Sequence, residues 1–189
     1  MLKRSTSIPD YLLIGNVTRD ITPHGPRLGG TVSFGAHTAA AFGLRVAVLT
    51  SARPDDPLLE DLPSEAEVVV IPAEHTTTFE NRYSASGRTQ YLYHRANTLY
   101  PDMLPDAWRK ASLVHLAPIA YEVDPSFAIT FEGRPICVTP QGFMRRREAD
   151  GLITPILWES APQVLPRATV TVLSEEDIRH APHLEQEFA

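Results

Sequence analysis

Asp20, the pair Gly29-Gly30 and the small residues after them are the part of this sequence best suited to chemistry. A carboxylate accepts hydrogen bonds from hydroxyl groups, and paired glycines let the backbone turn sharply and approach another group with no Cβ in the way. Thr31 or Ser33 can cap the helix that follows. Val32, Ala36, Ala39 and Gly43 fall on one helical face, spaced by three or four, and Gly43 stops the helix. A face of small side chains lets this helix sit close to a sheet. The free N–H groups at its start favour polar or anionic ligands. The stretch is also compatible with a tight turn before a packed helix, and Asp20 with an acceptor for turn amides.

Other polar residues carry weaker signals. His115 lies inside an apolar run and reads as a satisfied core histidine rather than a base. Arg145-Arg146-Arg147 is a basic run in a chain of net charge −6; such runs are mostly solvated, with phosphate contact as the alternative. Ser174-x-x-Asp177 is close to a capping box. His180 and His183 flank Pro182 and read as a surface turn, since no carboxylates complete a metal site. Gly29, Gly30 and Gly35 do not match the spacing of a dinucleotide-binding loop. Cys137 is the only cysteine, so no intrachain disulfide forms.

Six short apolar runs position these groups: residues 11–14, 46–50, 68–71, 113–117, 135–139 and 170–173. Continuous rather than alternating, they read as strands buried on both faces of a parallel sheet. Asp20 follows the first run, and Gln141, in the turn Pro140-Gln141-Gly142, follows the fifth. Both should reach the carboxyl edge of the sheet, where ligands bind in open α/β folds. Residues 76–95 differ in kind. Phe79, Asn81 and Tyr83 alternate with polar neighbours around a Gly-containing turn, the pattern of an antiparallel hairpin. It is either an edge hairpin or a lid whose aromatic face covers a ligand. Residues 21–28 read as a loop or irregular edge strand, and residues 51–63 leave room for at most a short helix. Short helices are expected within 105–112, 124–131 and 158–168. With 189 residues, 43% of them hydrophobic and 21% charged, the chain suits one soluble domain. The acidic balance argues against a nucleic-acid surface, and no apolar run is long enough to span a bilayer. A cytoplasmic protein is expected.

The order Gly15-Asn16-Val17-Thr18-Arg19-Asp20, a short connection, Gly29-Gly30, a small-residue helix, Gly43 and Val46-Ala47-Val48-Leu49 resembles the N-terminal signature of the ribokinase-like (PfkB) sugar and nucleoside kinases. The resemblance extends over essentially the whole chain. It implies a mostly parallel, Rossmann-like α/β sheet flanked by helices, with residues 76–95 as a β-hairpin lid. Asp20 would bind substrate hydroxyls, with Gly29 and Gly30 closing over the same substrate. Ser33, Phe34, Asn81 and Gln141 would complete the site for a sugar or nucleoside. Phe34 stands where the family often has a substrate-binding Asn. Ser86-Gly87-Arg88 resembles the family's lid turn, and lids of this kind pair into homodimers. Ser174 and Asp177 occupy the family's Asn-x-x-Glu positions, which organise magnesium and phosphate, so ATP and Mg2+ are the implied cofactors. The family's Gly-Ala-Gly-Asp element, which supplies the anion hole and catalytic base, does not occur in this sequence. Two expectations follow. One is the substrate-binding portion of a PfkB-type kinase, inactive by itself in ATP-dependent phosphoryl transfer. The other is a non-catalytic ligand-binding or dimerisation protein derived from that fold.

Overall fold

The computed structural model describes residues 7–85 and 87–178. In chain order its strands are β1 Tyr11–Ile14, β2 Thr18–Ile21, β3 Arg27–Gly29, β4 Val46–Ala52, β5 Glu67–Pro72, β6 Thr77–Ser84, β7 Gly87–His94, β8 Leu113–Leu116, β9 Ile136–Val138, β10 Arg145–Arg147, β11 Ile153–Pro155 and β12 Val170–Thr171. The α-helices are α1 Thr31–Ala41, α2 Phe127–Thr130, α3 Ala161–Val164 and α4 Glu175–Ile178.

All six apolar runs become strands of one sheet, in the order β12-β9-β8-β1-β4-β5. Every neighbouring pair in it is parallel. Successive residues of the central strands serve opposite cores, which is why the runs are continuous. Leu12, Ile14 and Leu49 join a core with Trp108, Phe127, Phe131, Phe143 and Trp158. Leu13 and Val48 join another with Val32, Ala36 and Ala39 of α1. The small side chains of α1 thus let it lie close over one face. The opposite face is covered by large aromatics carried on single turns, including a 3-10 turn at Asp106–Lys110 where the sequence suggests a helix.

The start of α1 differs from expectation, and its end is as expected. Its N-cap is Gly30, with no side-chain cap. The Ser33 hydroxyl instead donates to the Gly30 carbonyl, at 2.9 Å. Thr31, at the first helical position, makes no cap either. Gly43 lies beyond the helix, exposed, and ends it through its N–H to the Ala40 carbonyl at 2.8 Å.

The hairpin stands apart from the main sheet, as expected, and is larger than expected. β6 and β7 pair antiparallel, and β2 and β3 extend them into a four-stranded sheet in the order β3-β2-β6-β7. β2 runs parallel to β6 and antiparallel to β3. Residues 21–28, read as a loop or irregular edge strand, therefore hold both the turn after β2 and most of β3, which is the edge strand of this sheet. Ser86 of the lid turn and the His180–His183 motif lie outside the described residues.

Candidate functional site

Asp20 is placed by strand register. Thr18 pairs with Gly29 and Asp20 with Arg27 across β2 and β3. The Thr18 hydroxyl donates to one Asp20 oxygen at 2.8 Å. The other oxygen lies against Gly29: a Cβ added there would sit 2.3 Å from Oδ2 and 2.6 Å from the Thr18 hydroxyl. Gly29 is thus the space into which the carboxylate fits. Gly30 carries φ +88, and a Cβ on it would meet the Asn16 carbonyl at 2.8 Å. The glycine pair turns the chain from lid into helix directly beside Asp20. Burial raises the Asp20 pKa above its ordinary value, with the Thr18 hydrogen bond opposing the rise.

Asp20, Gly30 and Phe34 line one cleft of about 200 Å³ together with Asn81, Gln141 and Arg145. Five of the residues singled out from the sequence therefore converge, from the lid, the start of α1 and the turn after β9. Gly29 lies beneath the carboxylate. Ser33 does not line the cleft, because it is buried with its hydroxyl on the Gly30 carbonyl. Asn81 is held across the hairpin, its Oδ1 accepting from Gln90 at 2.7 Å. Phe34 is 67% exposed at the cleft's mouth. Gln141 donates to Asp177 at 2.9 Å, which ties the turn after β9 to α4.

The lid's aromatics are divided rather than gathered on the cleft. Phe79 lines the cleft and packs with Leu92, Ile119 and Ala120. Tyr91 and Tyr93 stack with each other on the outer face, where Arg82 covers the Tyr91 ring. Arg82 also reaches Glu80 and the Tyr93 hydroxyl. Period-two alternation sets this division, since Glu80, Arg82 and Tyr91 share the face opposite Phe79.

Ser174 and Asp177 form a reciprocal cap. Asp177 Oδ2 accepts from the Ser174 backbone N–H at 3.0 Å and from its hydroxyl at 2.6 Å, while Ser174 Oγ accepts from the Asp177 N–H. With Gln141 on Oδ1, both oxygens of Asp177 are engaged. Among the described residues no group of three or more His, Cys, Asp or Glu side chains is arranged to hold a metal ion.

His115 is a satisfied core residue, as its sequence context indicates. Its Nδ1 meets the Tyr11 hydroxyl at 2.7 Å and its Nε2 the Thr139 hydroxyl at 3.1 Å. Burial pushes it down to about 4 and Tyr11 up to about 12.

Sequence reasoning missed the groups that lock the site together. Glu122 is fully buried, and its carboxylate accepts from the backbone N–H groups of Asn16, Ile119 and Ala120 at 2.6–3.0 Å. This joins the ends of β1 and β8. Tyr121 beside it holds φ 58, a left-handed backbone rare outside glycine, with Arg95 donating to its carbonyl. Asn16, also fully buried, accepts from the Ser51 N–H and donates toward Thr77 of the lid and the Asn97 carbonyl. The available signal was a polar residue directly after a buried strand; its partners lie too far along the chain to be read.

A larger hollow, about 390 Å³, lies on the other side of β2, lined by Arg19, Asp56, His75 and His94. Its carboxylate is already engaged: Asp56 accepts from Arg19, Leu58 N–H and Thr76.

Compared with protein-family models and with curated proteins, the sequence matches none. Solved structures do match. A pyrophosphate-dependent kinase in the ribokinase family, complexed with a pyrophosphate analog and myo-inositol, superposes with a TM-score of 0.76 at 23% identity, over 95% of this chain and 70% of that one. Ribokinase from Arabidopsis thaliana, complexed with ribose and ATP, gives 0.59 at 16% identity, over 90% and 62%. A nucleoside kinase from Methanocaldococcus jannaschii, an archaeal member of the ribokinase family, gives 0.59 at 12%, over 95% and 66%. The fold is therefore ribokinase-like, a parallel α/β sheet with a separate small lid.

Proposed function

We propose that this chain is the acceptor-binding part of a ribokinase-type kinase and holds a small polyol, a sugar, cyclitol or nucleoside, in the Asp20 cleft. The observation that carries the reading is the seating of Asp20: a half-buried carboxylate, oriented by Thr18 and fitted against Gly29, facing a cleft lined by Asn81 and Gln141. A carboxylate accepts from two hydroxyls, and side-chain amides both donate and accept, which is the recognition a polyol requires. The solved structures of similar fold were determined with myo-inositol and with ribose, which supports the same ligand class. The reaction served is phosphoryl transfer to a substrate hydroxyl. That chemistry depends on positioning and on charge stabilisation at the phosphates. The sequence contains no Gly-Ala-Gly-Asp element, so this chain alone is expected to bind its polyol without enzyme-like turnover from ATP. ATP, Mg2+ and a second copy of the chain belong to the same proposal as the donor, its metal and the partner at the lid.

Calorimetric titration against a panel of sugars, cyclitols and nucleosides tests the reading. Hydrogen bonds to a charged group contribute roughly 1.5–3 kcal/mol, so Asp20→Ala should weaken the bound polyol about ten- to a hundredfold. A polyol that binds wild type and Asp20→Ala equally well would make Asp20 a turn residue only.

A further inference from the structure

A cleft of about 400 Å³ opens between the end of β7, the turn after β8 and the β10–β11 pair. It meets the Asp20 cleft only at Arg145, which lines both. Elsewhere the two are separated by a small core, in which Leu92 and Ala120 of this cleft pack with Phe79 and Ile119 of the other. Leu92, Ala120, Ile153 and Ile156 give the cleft an apolar floor. Its rim is basic: Arg95 and the three arginines of β10 line it, against one carboxylate among the described residues, Glu159. In a chain of net charge −6 this is a local reversal of sign, and a cleft lined by one sign of charge concentrates the opposite ion. Arg146 is paired with Glu148 at 2.9 Å. Arg95 and Arg147 are held by neutral oxygens instead. Arg95 donates to the Ala120 and Tyr121 carbonyls and to the Thr98 hydroxyl, and Arg147 donates through Nε to the Leu92 carbonyl at 2.6 Å. These bonds aim the guanidinium groups without cancelling their charge.

Tyr121 supplies an independent observation. It lines the same cleft, 38% exposed, with its ring set edge-on to Phe143. Its φ of 58 is a backbone that a tyrosine rarely adopts. Strain of this kind persists where the surroundings over-determine it, and it clusters at ligand sites. Here the two carbonyls held by Arg95 fix the turn that carries the ring to a basic rim. The lining then selects the ligand. An inorganic anion would leave the apolar floor uncovered, and an uncharged apolar molecule would leave the arginines unmatched. A carboxylate on an apolar body meets both, because a guanidinium fork takes a carboxylate in two parallel hydrogen bonds and a ring or branched chain packs on Tyr121 and the isoleucines. The volume lies in the range of small-molecule sites, roughly 300–1,000 Å³.

We propose that this cleft is a second ligand site, for a small organic acid. The carboxylate is held by the terminal nitrogens of Arg147, with Arg95 beside it, and the apolar body rests on Tyr121, Ile153 and Ile156. The site does not rest on the polyol reading, and its ligand does not compete with a polyol.

The test titrates the full chain calorimetrically with phenylacetate and 4-methylpentanoate. Acetate and inorganic phosphate supply charge without the apolar body, and benzyl alcohol the body without the charge. Wild type should bind at least one of the two larger acids about tenfold or more tightly than any of these three. Arg147→Gln should weaken that acid about ten- to a hundredfold, and Arg147→Lys should not restore it, since an ammonium has no fork. Tyr121→Gly removes the ring at a position whose backbone glycine adopts freely, so it should keep the circular dichroism spectrum of wild type and lose about tenfold in affinity. Arg53→Gln, a charge removed from the hollow on the other side of β2, should match wild type. Asp20→Ala should also bind the acid as wild type does, and this holds whether or not any polyol binds. The site is overturned if wild type binds neither larger acid, if acetate or phosphate binds as tightly, or if affinity survives both Arg147→Gln and Tyr121→Gly. Loss of the acid in Asp20→Ala, or its displacement by a polyol, would put it in the acceptor cleft and equally defeat a separate site.

Discussion

Burial favours the neutral form of Asp20 in the fold, so the carboxylate that recognises hydroxyls also weighs on stability at neutral pH. The folded pKa lies above the unfolded one. The stability this residue contributes is therefore fully present below about pH 4 and is lost as pH rises through the folded value. Asp20→Asn should raise the melting temperature at pH 7.5, an advantage that shrinks toward pH 4, while polyol binding weakens. Thermal melts at the two pH values check this; an unchanged or lower melting temperature at pH 7.5 would mean that the carboxylate carries no such cost. His115 works in the opposite sense. Its folded value of about 4 lies below the unfolded histidine value, so it keeps stability above about pH 6.5 that is lost between there and about pH 4. The loss is on the order of 3 kcal/mol. His115→Gln should flatten that part of a urea-denaturation profile against pH. Legibility at this scale followed chain distance. Asp20 and Gln141 were readable because glycine and proline mark the ends of the strands before them. Glu122 was not, because it serves the backbone of Asn16, 106 positions away. Arg145 was grouped with its neighbours because sequence shows a charge run and not which member lines a cleft.

The strands of the main sheet were legible because burial on both faces forces every residue to be apolar. The lid was only half legible. β6 and β7 alternate over eight residues each, whereas β2 and β3 have four and three and are separated by Pro23 and Pro26. So short a pair has no periodicity of its own, and it forms because β6 gives β2 a parallel partner. The junction from β3 to α1 gives a prediction at this scale. Gly29→Ala places a methyl group where the Asp20 carboxylate and Thr18 hydroxyl now sit, and something must shift. Gly29 is an ordinary β3 residue, so the strand itself should persist. Gly29→Ala should lose polyol affinity about as fully as Asp20→Ala, roughly ten- to a hundredfold, with an unchanged circular dichroism spectrum. Retained affinity would show that the carboxylate position is not what the ligand reads. Gly30→Ala should behave differently, since a left-handed backbone costs an ordinary residue about 1–2 kcal/mol, and its clash is with the Asn16 carbonyl. That variant should lose stability first.

At the scale of the molecule, the lid is attached at its base and at its tip. Asn16 bonds toward Thr77 where β6 begins, and Phe79 and Leu92 pack on Ile119 and Ala120. At the tip Arg88 pairs with Glu176 at 2.6 Å, an exposed contact that contributes little. The lid thus closes one side of the cleft and leaves large apolar side chains uncovered at the mouth. Tyr83 is 77% exposed and Phe34 67%, with Ile21 on the lid's other face at 43%. Tyr83 follows Phe79 and Asn81 at period two, so it continues the cleft-facing side of β6 beyond the body. A second lid laid across this side would cover Tyr83 and screen the cleft from water, which makes self-association and ligand binding one linked equilibrium. Linkage then requires that a ligand held more tightly in the dimer also tighten the dimer. Sedimentation velocity should show a dimer that Tyr83→Ser shifts toward monomer, and a bound polyol should shift wild type back toward dimer at limiting concentration. The Tyr83→Ser chain should keep its fold, because the side chain it removes is already in water. A wild-type chain that stays monomeric at high concentration, with or without polyol, would mean that the lid closes its cleft alone and that Tyr83 has no partner.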